Sequence, residues 1–272
     1  MSRPAPLFDA NALRLHRTRA RPDACFLQEA ALDEVEDRLS MVNRPFTKIG
    51  VVSPYPDLWS TRFPMAEHIA DDDVLAWSGE GYDLIVHGMA LHWANDPVGQ
   101  LIQCRRVLRE DGLFLALCLG GQSLTELRAA LSEAEISETD GLSPRISPMA
   151  EIRDLGALLQ RAGFALPVAD TLKLTAEYRG LMHLMRDLRH MGETNALASR
   201  LRRPTRRTVF DKAQEIYLAA YGQPDGRLPA TFELITLTGW VPSATQQKPL
   251  RPGSAQQRLA DALNTRETSL RD

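Results

Sequence analysis

The residues able to do chemistry in this chain fall into a few groups, of which His92 stands out. It sits in Leu91-His-Trp-Ala-Asn-Asp96, directly after an apolar run. Imidazole is the side chain whose unperturbed pKa lies near neutrality, so His92 is the candidate general base. A packed histidine that fixes the loop beside Trp93 is the alternative. Asp71-Asp72-Asp73 places three carboxylates together at the end of a short apolar stretch. They could hold a metal ion or the edge of a ribose and adenine, or could form a solvated acidic turn. Two arginine-rich stretches, Arg14 to Arg21 and Arg200 to Arg207, suit an anionic partner or a solvated basic face. Ser143, Arg145 and Ser147 could cap neighbouring elements or line a pocket. The three cysteines, Cys25, Cys104 and Cys118, form neither a C-x-x-C pair nor a disulfide framework. With the six histidines scattered as well, no metal-ligand cluster is visible, and no Ser/His/Asp or Cys/His spacing supports a hydrolase.

These residues need a scaffold, and the stretch from Tyr82 to Arg128 supplies its centre. Tyr82 to His87 reads as a buried strand after the Gly79-Glu-Gly81 turn. Leu101, Ile102, Cys104, Val107 and Leu108 recur at helical spacing, with Arg109 to Gly112 as the expected helix end. Leu113 to Leu119 is a second apolar run, completing a right-handed crossover whose ligands belong outside the carboxyl ends of the strands. His92-Trp93 and Gly120-Gly-Gln-Ser123 occupy that edge. Lys48 to Ser53 reads as the first strand and Met65 to Ala70 as a short one. Helices are expected from Asp23, as cap, to Val42, over 122–135 and over 152–162, the last ended by Gly163. Strands follow within Phe164–Tyr178 and over Pro229–Trp240, with an interrupted helical stretch between them.

A chain of 272 residues with 44% hydrophobic and 25% charged residues can bury one substantial core. Its net charge of −3, with arginines not interleaved with aromatics, argues against nucleic acid. No apolar run approaches the roughly 18 to 20 residues that span a bilayer, and a cytoplasmic protein is expected. The organisation reads as a basic arm and helix over 1–44, an α/β core over 45–178, a helical insertion over 179–221, a last strand returning over 222–253 and a polar tail over 254–272.

The turn after the first strand is Pro54-Tyr-Pro-Asp57. A nucleotide-binding turn there should be glycine-rich so that backbone N–H groups approach the ligand, and proline has no N–H to offer. The only G-x-G, Gly79 to Gly81, precedes a strand instead of following one.

Taken in order, LHWANDP after DLIV, REDGLFL, GGQSLTELR, GLSPRISP, RAGF and PATFELITLTGW resemble the methyltransferase-like family of respiratory complex I assembly factor 5. That family is similar in turn to the biotin-pathway malonyl carrier-protein methyltransferases. The likeness runs from about Leu7 to Gly253. It implies a Rossmann-like class I S-adenosylmethionine methyltransferase fold, with seven strands and the last one antiparallel. It also implies that Asp71, with Asp72 beside it, holds the adenine edge, and that Leu91, His92 and Trp93 lie along the methionine part of S-adenosylmethionine. The partner implied is a complex I subunit, modified in mitochondrial members by arginine hydroxylation. The family's acidic-Gly-x-Gly-x-Gly turn is replaced here by Ser53 to Asp57, and too few residues separate Ser53 from His68 for a further strand and crossover helix. The expectation is therefore a methyltransferase fold with a degenerate cofactor site that acts by binding protein. The alternative is a working S-adenosylmethionine-dependent enzyme acting on a protein or carboxyl group.

Overall fold

The computed structural model describes residues 5–246, and the expected polar tail, 254–272, lies outside them. Residues 1–242 form one compact unit. Residues 243–272 form a second, described only by the short turn Ser243 to Gln246.

In chain order the elements are α1 (Ala10–Arg17), a 3-10 turn (Pro22–Ala24), α2 (Phe26–Met41), β1 (Ile49–Val52), α3 (Pro56–Ser60), β2 (Glu67–Ile69) and β3 (Tyr82–Gly88). A second 3-10 turn (Leu91–Trp93) precedes α4 (Pro97–Val107), β4 (Leu108–Leu119), α5 (Thr125–Thr139) and α6 (Ile152–Ala162). The chain ends in β5 (Ala165–Tyr178), α7 (Leu181–His190), α8 (Arg207–Tyr221) and β6 (Leu228–Trp240). The strands form one sheet in the order β2-β1-β3-β4-β6-β5, parallel from β2 to β4 and antiparallel where β6 meets β4 and β5. This is the Rossmann-like class I methyltransferase sheet, with six strands where the resemblance implies seven. The shortening falls where the sequence places it. Only fourteen residues, 53–66, join β1 to β2, and the five-residue α3 is the whole of that crossover.

Strand alternation sends side chains to two apolar layers. Leu84, Val86 and Leu115 pack under α2, α5, α7 and α8, while Ile85, Phe114 and Cys118 pack under α4 and α6. All three cysteines are buried and free, and burial pushes the Cys118 thiol up to about 12. They fill space, as lone buried cysteines commonly do. Asp96 caps α4 by accepting from Gly99 N at 2.8 Å, with Pro97 in the first turn, where its missing N–H is no loss. Gly163 ends α6 at φ 87°, a conformation that favours glycine.

Several expectations need correcting. The basic arm is not a solvated segment: residues 10–17 are helical, capped by Asp9, and bury Ala12 and Leu13. Asp23 does not cap α2. It lies in the preceding 3-10 turn and pairs with Arg21 at 2.7 Å, while Cys25 holds the cap position. Arg109 to Gly112 does not end α4 either. The helix stops at Val107 and β4 starts at once, so Asp111, at φ 57°, lies inside the strand, where Arg44 binds its carboxylate at 2.8 Å. Helix α5 begins at Thr125 instead of Gln122, because Ser123 bonds sideways to β6, accepting from Glu233 N at 2.9 Å.

Candidate functional site

Two cavities open near the carboxyl ends of the parallel strands, and Trp93 lines both. The larger, a groove of about 900 Å³, runs between α1 and the segments that follow β1 and β2. Arg14 and Arg17 come from α1, Ser53, Pro54 and Pro56 from the turn after β1, and Asp71 to Asp73 from the end of β2. The smaller, about 180 Å³, is walled by Leu119, Leu127, Leu131, Met185, Leu188 and Phe210. Its polar lining residues are Glu193, Arg145, Arg189, Ser147, Thr194 and Asn195.

In the groove the carboxylate of Asp71 is taken. Arg17 Nη1 donates to Asp71 Oδ1 at 2.9 Å and Oδ2 at 2.8 Å, in a pair that is only 14% and 10% exposed. The turn after β1 offers little to a ligand. Pro54 and Pro56 have no N–H, and the N–H of Tyr55 donates to Ser53 Oγ at 3.1 Å. The two prolines face the groove, whereas the Tyr55 side chain turns away and donates to Met191 O at 2.8 Å. Gly192 leaves room for that hydroxyl, since a Cβ there would collide with it, and its φ of 79° needs glycine in any case. Asp72 and Asp73 line the groove, and their backbone carbonyls are held by Gln100 Nε2 at 3.0 Å and Gln103 Nε2 at 3.0 Å. No group of three or more potential metal-ligating residues occurs among the described residues.

Gln100 also connects the groove to the core. Its Oε1 lies 3.0 Å from Nε2 of His87, a fully buried residue of β3, and burial lowers the His87 pKa to about 4.

Leu91 is buried in the core and contributes no polar group. His92 lines neither cavity, its side chain being 1% exposed. Leu119 N donates to His92 Nδ1 at 3.4 Å, which assigns the ring proton to Nε2, facing Glu193 Oε2 at 3.4 Å. Trp93 Nε1 donates to the same Glu193 oxygen at 2.8 Å. Burial opposes the charge of Glu193, but the hydrogen bonds from His92 and the Trp93 indole and the nearby Arg17 guanidinium hold its pKa below the usual carboxylate range. The result is an ionised carboxylate in the lining of a pocket with apolar walls. Such a group suits a cationic head on an apolar stem.

The wall of the pocket that carries Arg145 to Met149 is pinned by one carboxylate. Buried Glu135 accepts from Ser143 N (3.0 Å), Ser143 Oγ (2.8 Å), Arg145 Nε (2.9 Å) and Arg145 Nη2 (2.6 Å). Burial raises its pKa, yet Arg145 and Ser143 bring it below the usual value. Glu135→Ala leaves a largely buried guanidinium unpaired and should cost about 3 kcal/mol. Calorimetry would then show a Tm lower by roughly 5–10 °C, with faster protease cleavage within 141–149. An unchanged Tm would mean that the pin carries no load.

Of the residues singled out from sequence, the structure brings Asp71, Asp72 and Trp93 to the groove and sets His92 behind Trp93, out of both cavities. Sequence reasoning missed Glu193, Gln100 and the pairing of Arg17 with Asp71. Glu193 stands in an ordinary polar turn and gave no signal, whereas Arg17 lay within the basic stretch already noted.

No protein-family model matches the chain. It is 39% identical over 193 residues to "Arginine-hydroxylase NDUFAF5, mitochondrial" of Danio rerio, covering 71% of this chain and 60% of that protein. It is 35% identical over 186 residues to the malonyl-[acyl-carrier protein] O-methyltransferase of Laribacter hongkongensis, covering 68% of this chain and 59% of that protein. The chain thus spans about 60% of the length of either relative. Among solved structures, a putative methyltransferase from Bacillus halodurans superimposes with a TM-score of 0.49 at 12% identity, over 78% of this chain and 99% of that one.

Proposed function

We propose, from the premise that this chain is a homologue of the NDUFAF5 arginine-hydroxylases and of the malonyl-[acyl-carrier protein] O-methyltransferases, that it keeps their fold and has given up S-adenosylmethionine. In this reading it serves respiratory complex I assembly by binding a partner protein, in the cytoplasmic setting that the sequence suggests. No described helix is long and apolar enough to cross a membrane.

The observation that carries the reading is the state of the groove. Space for a nucleoside is present, but the Asp71 carboxylate and the one N–H of the turn after β1 are committed. Asp71 is paired with Arg17, and the three residues after Ser53 present two prolines and one N–H already bonded. A buried polar group left without a partner costs about 1 to 3 kcal/mol, and each 1.4 kcal/mol is tenfold in affinity. Losing the carboxylate contact and the turn contacts together weakens a cofactor by orders of magnitude. On this reading the residues present do not fit S-adenosylmethionine.

The partner contact belongs in the smaller pocket. The relatives' name specifies arginine, and a guanidinium on an aliphatic stem suits a pocket with apolar walls that has Glu193 among its lining residues. His92, with its proton on Nε2, then orients Glu193 and does not abstract a proton. Isothermal titration with S-adenosylhomocysteine should give no heat at ligand concentrations up to about 1 mM, the level of roughly −4 kcal/mol. Binding in the micromolar range would defeat the reading and restore the methyltransferase alternative.

A further inference from the structure

We propose that residues 7–21 form a strap that closes the groove and at the same time holds the Glu193 loop in place, so that the two cavities open together. This deepens the reading given above, because it concerns what controls the same two sites.

The strap touches both sides. Toward the groove, Arg17 occupies Asp71, and the Phe8 backbone is clamped by Asn95, whose Oδ1 accepts from Phe8 N at 2.9 Å while its Nδ2 donates to Phe8 O at 3.2 Å. The Phe8 ring meets Trp93 edge-on, with centroids 5.1 Å apart. Toward the Glu193 loop, the strap runs antiparallel to residues 196–198. Asp9 N donates to Ala196 O at 2.8 Å, and Ala198 N donates to Leu7 O at 2.9 Å. Arg200 binds Asp9 at 3.0 Å, and His16 Nδ1 lies 3.2 Å from Thr194 O, next to Glu193 itself. Farther along, Arg21 N donates to His190 O at 2.7 Å. The guanidinium of Arg17 also helps to hold the charge of Glu193, so one side chain serves both cavities.

The closed arrangement has a built-in weakness. Arg17 Nη2 is buried and has no hydrogen-bond partner, while Nη1 alone bonds both carboxylate oxygens of Asp71. An unmet buried donor is a penalty that opening to water relieves. The strap is tied by paired polar bonds and by a small buried cluster of Phe8, Leu13, Trp93, Ala196 and Leu197 that is separate from the two apolar layers of the sheet, the profile of a segment that opens locally below the global unfolding free energy.

Hydrogen exchange on the full chain, with no ligand added, tests this. In Arg17→Ala and separately in Asp71→Asn, amides of 10–17 and of 191–200 should both exchange at least tenfold faster than in wild type, while those of 82–88 and 113–119 stay unchanged. Arg17→Lys, which keeps the charge, should fall between. Acceleration confined to 10–17 would break the link between the cavities and overturn the proposal. Acceleration that extends to the two central strands, or none at all, would overturn it equally. Since no partner or cofactor is present, the result is independent of whether Glu193 receives an arginine and of whether S-adenosylhomocysteine binds.

Discussion

Replacing Glu193 by glutamine should weaken binding of an arginine-bearing partner by roughly 30-fold or more, while leaving the fold intact. Removing one member of a desolvated, hydrogen-bonded charge pair costs about 2 to 5 kcal/mol, largely because the other charge is left buried and unpaired. Glutamine keeps an oxygen for the Trp93 indole, which donates to Glu193 at 2.8 Å, so the loop retains its anchor. Glu193→Ala would remove that anchor as well and confound the comparison. On the reading proposed above, the measurement is calorimetric or surface-based affinity for a candidate arginine-bearing complex I subunit, with both proteins in wild-type and substituted form. In a double-mutant cycle, Glu193→Gln and neutralisation of the partner's arginine should each be costly alone and add little when combined. Additive losses would place the arginine elsewhere. His92→Ala should act in the same direction and more weakly, since His92 touches Glu193 at 3.4 Å and lines neither cavity.

The scaffold of this site was legible because the signals that define it are local. The apolar runs at 49–52, 82–88 and 113–119 are buried strands, and the Gly163 stop and the periodicity of α4 act over a few residues, although the expected end of α4 at Arg109 to Gly112 lies in β4. The missing strand was legible as arithmetic, since fourteen residues cannot hold two crossovers. The carboxylate partnerships were not legible, because they join positions far apart in the chain. Arg17 meets Asp71 across 54 positions, and Trp93 meets Glu193 across 100. Nothing in residue type or spacing distinguishes an arginine that enters a groove from one that faces water. Tyr55 shows the same limit at short range. The sequence places a bulky phenol at the turn, but its direction, toward Met191 O and away from the groove, is decided by a glycine 137 residues later. The prolines that flank it face the groove.

The same long-range logic makes a second prediction on the acid side of neutrality. His87 is fully buried on β3 and its pKa is lowered from 6.5 to about 4, first by burial, with the nearby Asp71 charge and the Gln100 hydrogen bond pulling weakly the other way. A base with a depressed folded pKa stabilises the protein above its unfolded pKa, and that stability is lost as pH falls, because the unfolded chain takes up a proton that the folded one refuses. The window therefore runs from about pH 6.5 down to about pH 4, and at 1.36 kcal/mol per unit its full extent is about 3 kcal/mol. His16, partly buried with its pKa also lowered by burial, adds a smaller contribution of the same sign. The carboxylates with lowered pKa, Glu135, Asp83 and Glu193, act in a different range, since their stabilisation is present above the unfolded carboxylate pKa and fades below it. Denaturant unfolding at pH 7.5 and pH 5 thus isolates the histidines. His87→Leu should be less stable at pH 7.5 by about 1 to 3 kcal/mol, because Gln100 Oε1 loses its partner, and should lose much less than wild type on going to pH 5. Equal losses in the two proteins would show that His87 is not the group that makes this fold sensitive to mild acid.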